Sequence, residues 1–147
     1  MISRTISGLA LAALMAAGTV AVLAQDFTPP ATAEEAIAMR EAAMRQNGGL
    51  LRGAANLSGD EAVAAAETFL FNYTHFPEMF PEGSSEGSDA LPAIWENWET
   101  FTGIFETGRV AAEEALAAAQ AGDSAAYGAA IQTIMGTCNQ CHQQFRS

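Results

Sequence analysis

The sequence predicts an all-α domain, an antiparallel four-helix bundle. Three observations carry that prediction. Apolar residues recur at three- and four-residue steps in four separate stretches; no segment alternates with a period of two; and the stretches are separated by two short turns and one longer loop rich in Pro, Gly and Ser. With 147 residues, half of them hydrophobic, the chain can build one well-filled core and not two.

The first stretch is of another kind. Met1 to Arg4 carries the only early charge, Ile6 to Ala17 is apolar and Ala-rich, and Val22-Leu23-Ala24 places small or permissive residues at a cleavage site. This is the layout of a secretory signal peptide, residues 1–24, cut between Ala24 and Gln25. An uncleaved membrane anchor is the alternative, because Ile6 to Ala24 is uncharged and could just span a bilayer. The Ala- and Gly-rich core and the terminal cleavage pattern favour removal. Residues 25–147 then form the domain.

Helices are predicted at about 32–52, 59–75, 95–121 and 124–146. In the first, Ile37, Met44 and Leu51 fall at helical spacing with Arg40, Ala43 and Gly48 on the same side. Thr32 can cap it, and Glu34 and Glu35 suit its positive N-terminal end. Ser58 or Asp60 starts the second, whose stripe is Val63, Ala66 and Leu70 beside Phe69 and Tyr73; Pro77 ends it. The chain from Phe76 to Pro92 is loop. Trp98, Phe101, Phe105, Ala112, Leu116 and Ala119 mark the third helix, with Trp95, Trp98, Phe101 and Phe105 read as core. Gly122-Asp123 breaks the chain before the fourth, which turns Tyr127, Ile131, Ile134, Cys138, Cys141 and Phe145 inward.

Charge narrows the partners. The chain has 17 carboxylates against six arginines and no lysine, a formal charge of −11 that becomes −12 once Arg4 leaves with the leader. Such a surface repels nucleic acid and anionic lipid, so no nucleic-acid partner is expected and membrane contact only during export. It favours a partner with a basic docking face; equally, acidity keeps a small exported protein soluble.

The chemistry lies in Cys138-Asn139-Gln140-Cys141-His142. Cys-x-x-Cys-His is the attachment signature of c-type haem. On a helix the two sulfurs lie one turn apart on one face, where both can form thioethers along one haem edge. His142, next to Cys141, can turn under the ring and ligate the iron. A Cys138–Cys141 disulfide is a weaker alternative; a thioredoxin-like pair lacks its strand, and structural zinc lacks ligands, since His75 is the only other His or Cys. His75, beside Pro77, reads as a surface or capping residue.

With this motif at its C-terminal end the chain resembles the class II c-type cytochromes, the cytochrome c′ family. The likeness extends over Ala36-Ile37-Ala38-Met39-Arg40, Phe80-Pro81-Glu82-Gly83, Leu91-Pro92-Ala93-Ile94-Trp95 and Cys138 to Arg146. The bundle prediction is not independent of it. The resemblance implies one covalent haem c, a distal position at the residue four after Arg40, and a salt link from Arg40 to a haem propionate. That distal residue is Met44, and the run Arg40 to Gly49 resembles the low-spin branch in which Met ligates iron. The residues alone leave Met44 open between ligand and ordinary core, although its flexible thioether precedes Gly48 and Gly49, which leave room for a flat ring. Arg146 could tune the proximal side or cap the last helix.

The function expected from this reading is a periplasmic monohaem one-electron carrier with His142/Met44-ligated low-spin iron, exchanging electrons with redox partner proteins and having no catalytic residues of its own. The alternative is a five-coordinate cytochrome c′ that binds nitric oxide or carbon monoxide. A peroxidase would want a distal acid-base group, and none is evident. Dimerisation, common among such relatives, is left open by the residues.

Overall fold

The computed structural model describes residues 26–147; the expected leader and its cleavage site lie outside the described residues. Four long helices form the body: α1 (Ala33–Leu51), α2 (Gly59–His75), α4 (Trp98–Ala121) and α5 (Ser124–Phe145), with a single helical turn, α3 (Ala93–Glu96), before α4. Short 3-10 turns follow α1 at Ala54–Asn56 and α2 at Phe76–Met79. Among the described residues the only extended pairing is an isolated antiparallel bridge between Ala90 and Arg146, and no helix is long and apolar enough to cross a membrane.

The helix ends follow the local chemistry. Thr32 Oγ1 accepts from the Glu35 N–H at 3.1 Å while the Glu35 carboxylate accepts from the Ala31 N–H at 2.8 Å, a reciprocal cap. Gly122, at φ 71°, ends α4 in the left-handed region, and Asp123 caps α5 by accepting from the Ala126 N–H at 2.9 Å. The predicted third helix is in fact two pieces. Asn97 leaves the helical region at φ −128°, ψ 45°, and its side chain donates back to the Ala93 carbonyl at 3.2 Å, a local bond that competes with helix continuation.

α4 is the centre of the bundle, packing broadly on α2 and on α5. It does so through small residues: Ala111, Ala112, Ala115, Ala118 and Ala119 are all buried. At Gly108 the absent side chain is filled by the Tyr73 ring, which lies well inside the space a Cβ would need. An aromatic cluster of Tyr73, Phe76, Phe80, Phe101, Phe105 and Phe145 fills the end of the bundle next to the Cys-x-x-Cys-His run.

α1 is packed more sparsely, mainly against α2 and the two 3-10 turns. Its buried face is Ala36, Arg40, Ala43 and Asn47; of the predicted side, Arg40 and Ala43 are buried, Ile37, Met44 and Leu51 are half-buried on its flank, and Gly48 is exposed. The difference has a plain cause. The small and polar residues meet α2 and the loop, while the flank holding Met44 faces the gap left between α1 and α5. In α2 Ala66, Phe69 and Tyr73 are buried as expected, joined by Ala62, Ala65 and Asn72, while Val63 and Leu70 are half-buried.

Candidate haem site

Two adjoining cavities occupy the gap between α1 and α5. The larger, about 420 Å³, has Arg40 and Met44 from α1, Phe80, Ile94 and Phe101 from the opposite wall, and Cys141, His142 and Phe145 from α5. The smaller, about 130 Å³, is lined by Met44, Asn47 and Gly48, by Tyr73, Phe76 and Phe105, and by Cys138, Cys141 and His142. Met44, Cys141 and His142 border both.

The α5 side is set by one helical turn. Cys138 and Cys141 are free thiols, the first half-buried and the second buried. Thr137, in the turn before them, shares a 2.7 Å hydrogen bond with the Tyr73 hydroxyl, which also donates to the Ile134 carbonyl at 3.3 Å. This ties α2 to α5 just ahead of the cysteines. Burial, and then the neighbouring Cys138, push the Cys141 thiol up to about 11. Burial, and then the Arg146 cation, lower the His142 pKa, so its imidazole is neutral at pH 7, the form that binds metal.

The α1 side is held by two buried polar contacts that flank Met44. One turn before it, Arg40 is 4% exposed and donates from Nη1 to the Met79 carbonyl at 3.2 Å and to Ser84 Oγ at 2.8 Å. From Nη2 it donates to the Ser84 carbonyl and, at 2.7 Å, to Ser88 Oγ, and its guanidinium lies 4.6 Å over the Phe80 ring. Burial lowers its pKa, but an arginine remains a cation. None of its partners is charged; among the described residues it has no ion pair with any carboxylate. Three residues after Met44, Asn47 accepts from the Asn72 side-chain amide at 2.7 Å, and Gln46 accepts from the same amide at 3.0 Å.

The loop closes the far end. The Leu91 N–H donates to the Phe145 carbonyl and the Ser147 N–H to the Asp89 carbonyl, both at 3.0 Å, which clasps the C-terminal end of α5 against the 79–91 segment.

The residues singled out in the sequence therefore converge, with Cys138 confined to the smaller cavity and Arg40 to the larger. His75 stands apart, stacked on Phe27 at 4.0 Å and bonded to Glu78 at 3.0 Å, the surface role expected of it. Asn47, Asn72, Ser84 and Ser88 complete the site without carrying a sequence motif. The only signal for the asparagines is a polar residue at helical spacing within an apolar stripe. Trp98, read as core, is 39% exposed. It sits at the start of α4, its ring tilted at 36° to that of Phe101 with the ring centres 5.5 Å apart.

The donor set suits a haem: two thiols, a neutral imidazole and a thioether border one apolar-walled gap, with a buried cation lacking a counter-charge at its edge. Comparison with known proteins agrees. The family model described as Cytochrome C' matches residues 31–146. The chain belongs to the cytochrome c′ family. It is 40% identical over 114 residues to cytochrome c-556 of Agrobacterium tumefaciens (strain II Chrys), covering 73% of this chain and 93% of that one. The crystal structure of cytochrome c′ from Thermochromatium tepidum shares its fold, with a TM-score of 0.70 and 24% identity over 79% of this chain and 97% of that one. A nitric oxide complex of a cytochrome c′ variant from Alcaligenes xylosoxidans matches with a TM-score of 0.68 and 26% identity over 80% of this chain and 98% of that one. This cytochrome is accordingly a monohaem four-helix bundle with one covalently attached haem c.

Proposed function

We propose that this cytochrome is an exported, periplasmic one-electron carrier whose iron is held between His142 and Met44. Bound in the gap, a haem supplies an iron that exchanges one electron between its ferric and ferrous states. Cys138 and Cys141 hold it by thioethers, one turn apart on α5. His142 ligates from the same helix with its imidazole already neutral, and no proton has to leave at pH 7. The observation that carries the reading is that Met44, on α1, borders both cavities together with His142 and Cys141.

Carrier chemistry needs a coordination sphere that does not change as the charge changes. The two buried contacts around Met44 support that role. Arg40 pins the turn before it to the loop, and Asn47 pins the turn after it to Asn72, so the helix carrying the thioether is fixed on both sides. Phe80, Ile94, Phe101 and Phe145 give the larger cavity apolar walls suited to a flat ring. Arg40, a buried cation with only neutral partners, favours an anionic group in the larger cavity, and its Nε–H is the donor left for a haem propionate.

A gas-binding role is the second reading, favoured by the likeness to a solved nitric oxide complex. Met44→Leu separates the two, since Leu has similar volume and no donor atom. If Met44 ligates, the variant becomes high-spin or water-bound, its reduction potential falls and it takes up carbon monoxide far faster than the parent. If parent and variant take up carbon monoxide alike, Met44 is packing and the gas-binding reading replaces the carrier.

A further inference from the structure

We propose that Trp98 and the glutamates around it form the docking surface for a basic redox partner protein, an inference that rests on the electron-carrier reading and gives it a location. Trp98 and Val110 are the only exposed large apolar residues among the described residues. Trp98 stands between two shallow grooves, one bordered by Pro77 and Thr102 and the other by Pro77 and Pro81, so its indole is the centre of an apolar strip. A partly exposed indole with prolines beside it is the kind of anchor that dominates protein interfaces.

Acid surrounds it. Glu78, Glu82 and Glu99 border the two grooves, and none of them pairs with an arginine among the described residues. Arg109, the one arginine bordering these grooves among the described residues, is neutralised by Glu106 and Glu113. An anionic collar around an apolar centre attracts a basic protein from a distance and leaves the indole to make close contact. The mouth of the haem cavity is less suited, because there Arg45 and Arg146 stand beside Glu41 and Asp89.

The strip also leads inward. The Trp98 ring lies 5.5 Å from the Phe101 ring, and Phe101 is fully buried and forms a wall of the larger cavity. A partner seated on Trp98 is therefore one aromatic side chain from the site. The transfer it makes is a single electron from the ferrous carrier to the partner's oxidised centre, with no proton or atom exchanged.

The test uses the haem-loaded protein and mitochondrial cytochrome c, a basic redox protein, as the probe. Two quantities are followed at low ionic strength: the NMR shift of the Trp98 indole N–H on titration, and the bimolecular rate of electron transfer. The indole signal should move. Trp98→Ala should slow transfer about fivefold, with Trp98→Phe restoring most of it. Glu78→Gln, Glu82→Gln and Glu99→Gln together should slow it about tenfold and flatten its dependence on salt. The comparison is Glu61→Gln, Glu67→Gln and Glu114→Gln, an equal loss of charge elsewhere; Glu114 lies about 22 Å along α4 from Glu99. An unchanged haem spectrum shows each variant folded. A comparison variant as slow as the collar variant, or shifts confined to another face, overturns the proposal. A complex that forms at Trp98 but passes no electrons removes the carrier reading and leaves the docking surface standing; rapid transfer with shifts only elsewhere does the reverse.

Discussion

Gly108→Ala should destabilise this bundle, although Ala is the better helix former. In an exposed helix interior the change would gain about 1 kcal/mol. Here the new Cβ would overlap the Cδ1 and Cε1 of Tyr73 and stand 2.8 Å from its Cζ. The ring cannot simply move aside. Its hydroxyl is bonded to Thr137 at 2.7 Å, and its edge packs against Phe76 at 5.6 Å and 89°. Overpacking of this kind costs about 1–3 kcal/mol, and loss of the Thr137 bond adds about 1 kcal/mol. The net loss is then about 1–3 kcal/mol, which for a domain of this size lowers Tm by roughly 4–12 °C. Thermal unfolding of the haem-loaded protein followed by circular dichroism measures it. A variant as stable as the parent, or more stable, would refute the tight α2–α4 contact and the wedge that Tyr73 makes there.

Three further outcomes are expected. Tyr127 is 1% exposed and its hydroxyl has no hydrogen-bond partner among the described residues; Tyr127→Phe should therefore raise stability by about 1 kcal/mol in chemical denaturation, and a loss would mean that a partner satisfies the hydroxyl. Arg40→Leu strips the Ser84 and Met79 carbonyls of their buried donors and should cost about 3–5 kcal/mol; limited proteolysis should then cut within residues 79–90, and an unaltered pattern would contradict the clamp. In protein made without haem insertion, the Cys141 thiol at about 11, against an ordinary 9.0, should hold about a hundredfold less thiolate at pH 8 and alkylate correspondingly slowly. The proton is bound more tightly folded than unfolded, so this haem-free fold should lose stability as pH rises above about 9. Alkylation at the rate of a model thiol would show that the site is open without haem.

The helices were largely legible because their signals are local. Thr32 and Asp123 cap them with side-chain oxygens, Gly122 ends α4 because without a Cβ it takes the left-handed conformation, and the α2 boundaries agree residue for residue. The Cys-x-x-Cys-His run was legible for the same reason, since its geometry is contained in one turn of α5. What the sequence concealed depends on partners distant along the chain. The buried face of α1 is only partly legible in its periodicity: Arg40 and Ala43 lie on the side it marks, whereas Asn47 is buried by a bond to Asn72, 25 positions away, and the bonds that hold Arg40 reach up to 48 positions along the chain. Trp98 looked like core by spacing, and only the break at Asn97 and its place at the head of α4 leave it exposed. Ser84 and Ser88 have no pattern at all; they matter because a cation from another element reaches them.

The measurement that most directly tests the central claim is the visible absorption spectrum of the purified protein in both oxidation states. Ligation by His142 and Met44 predicts low-spin bands in both states, with a weak far-red sulfur-to-iron band in the ferric protein that Met44→Leu abolishes. A high-spin spectrum in the parent, or a far-red band that survives the substitution, would contradict it.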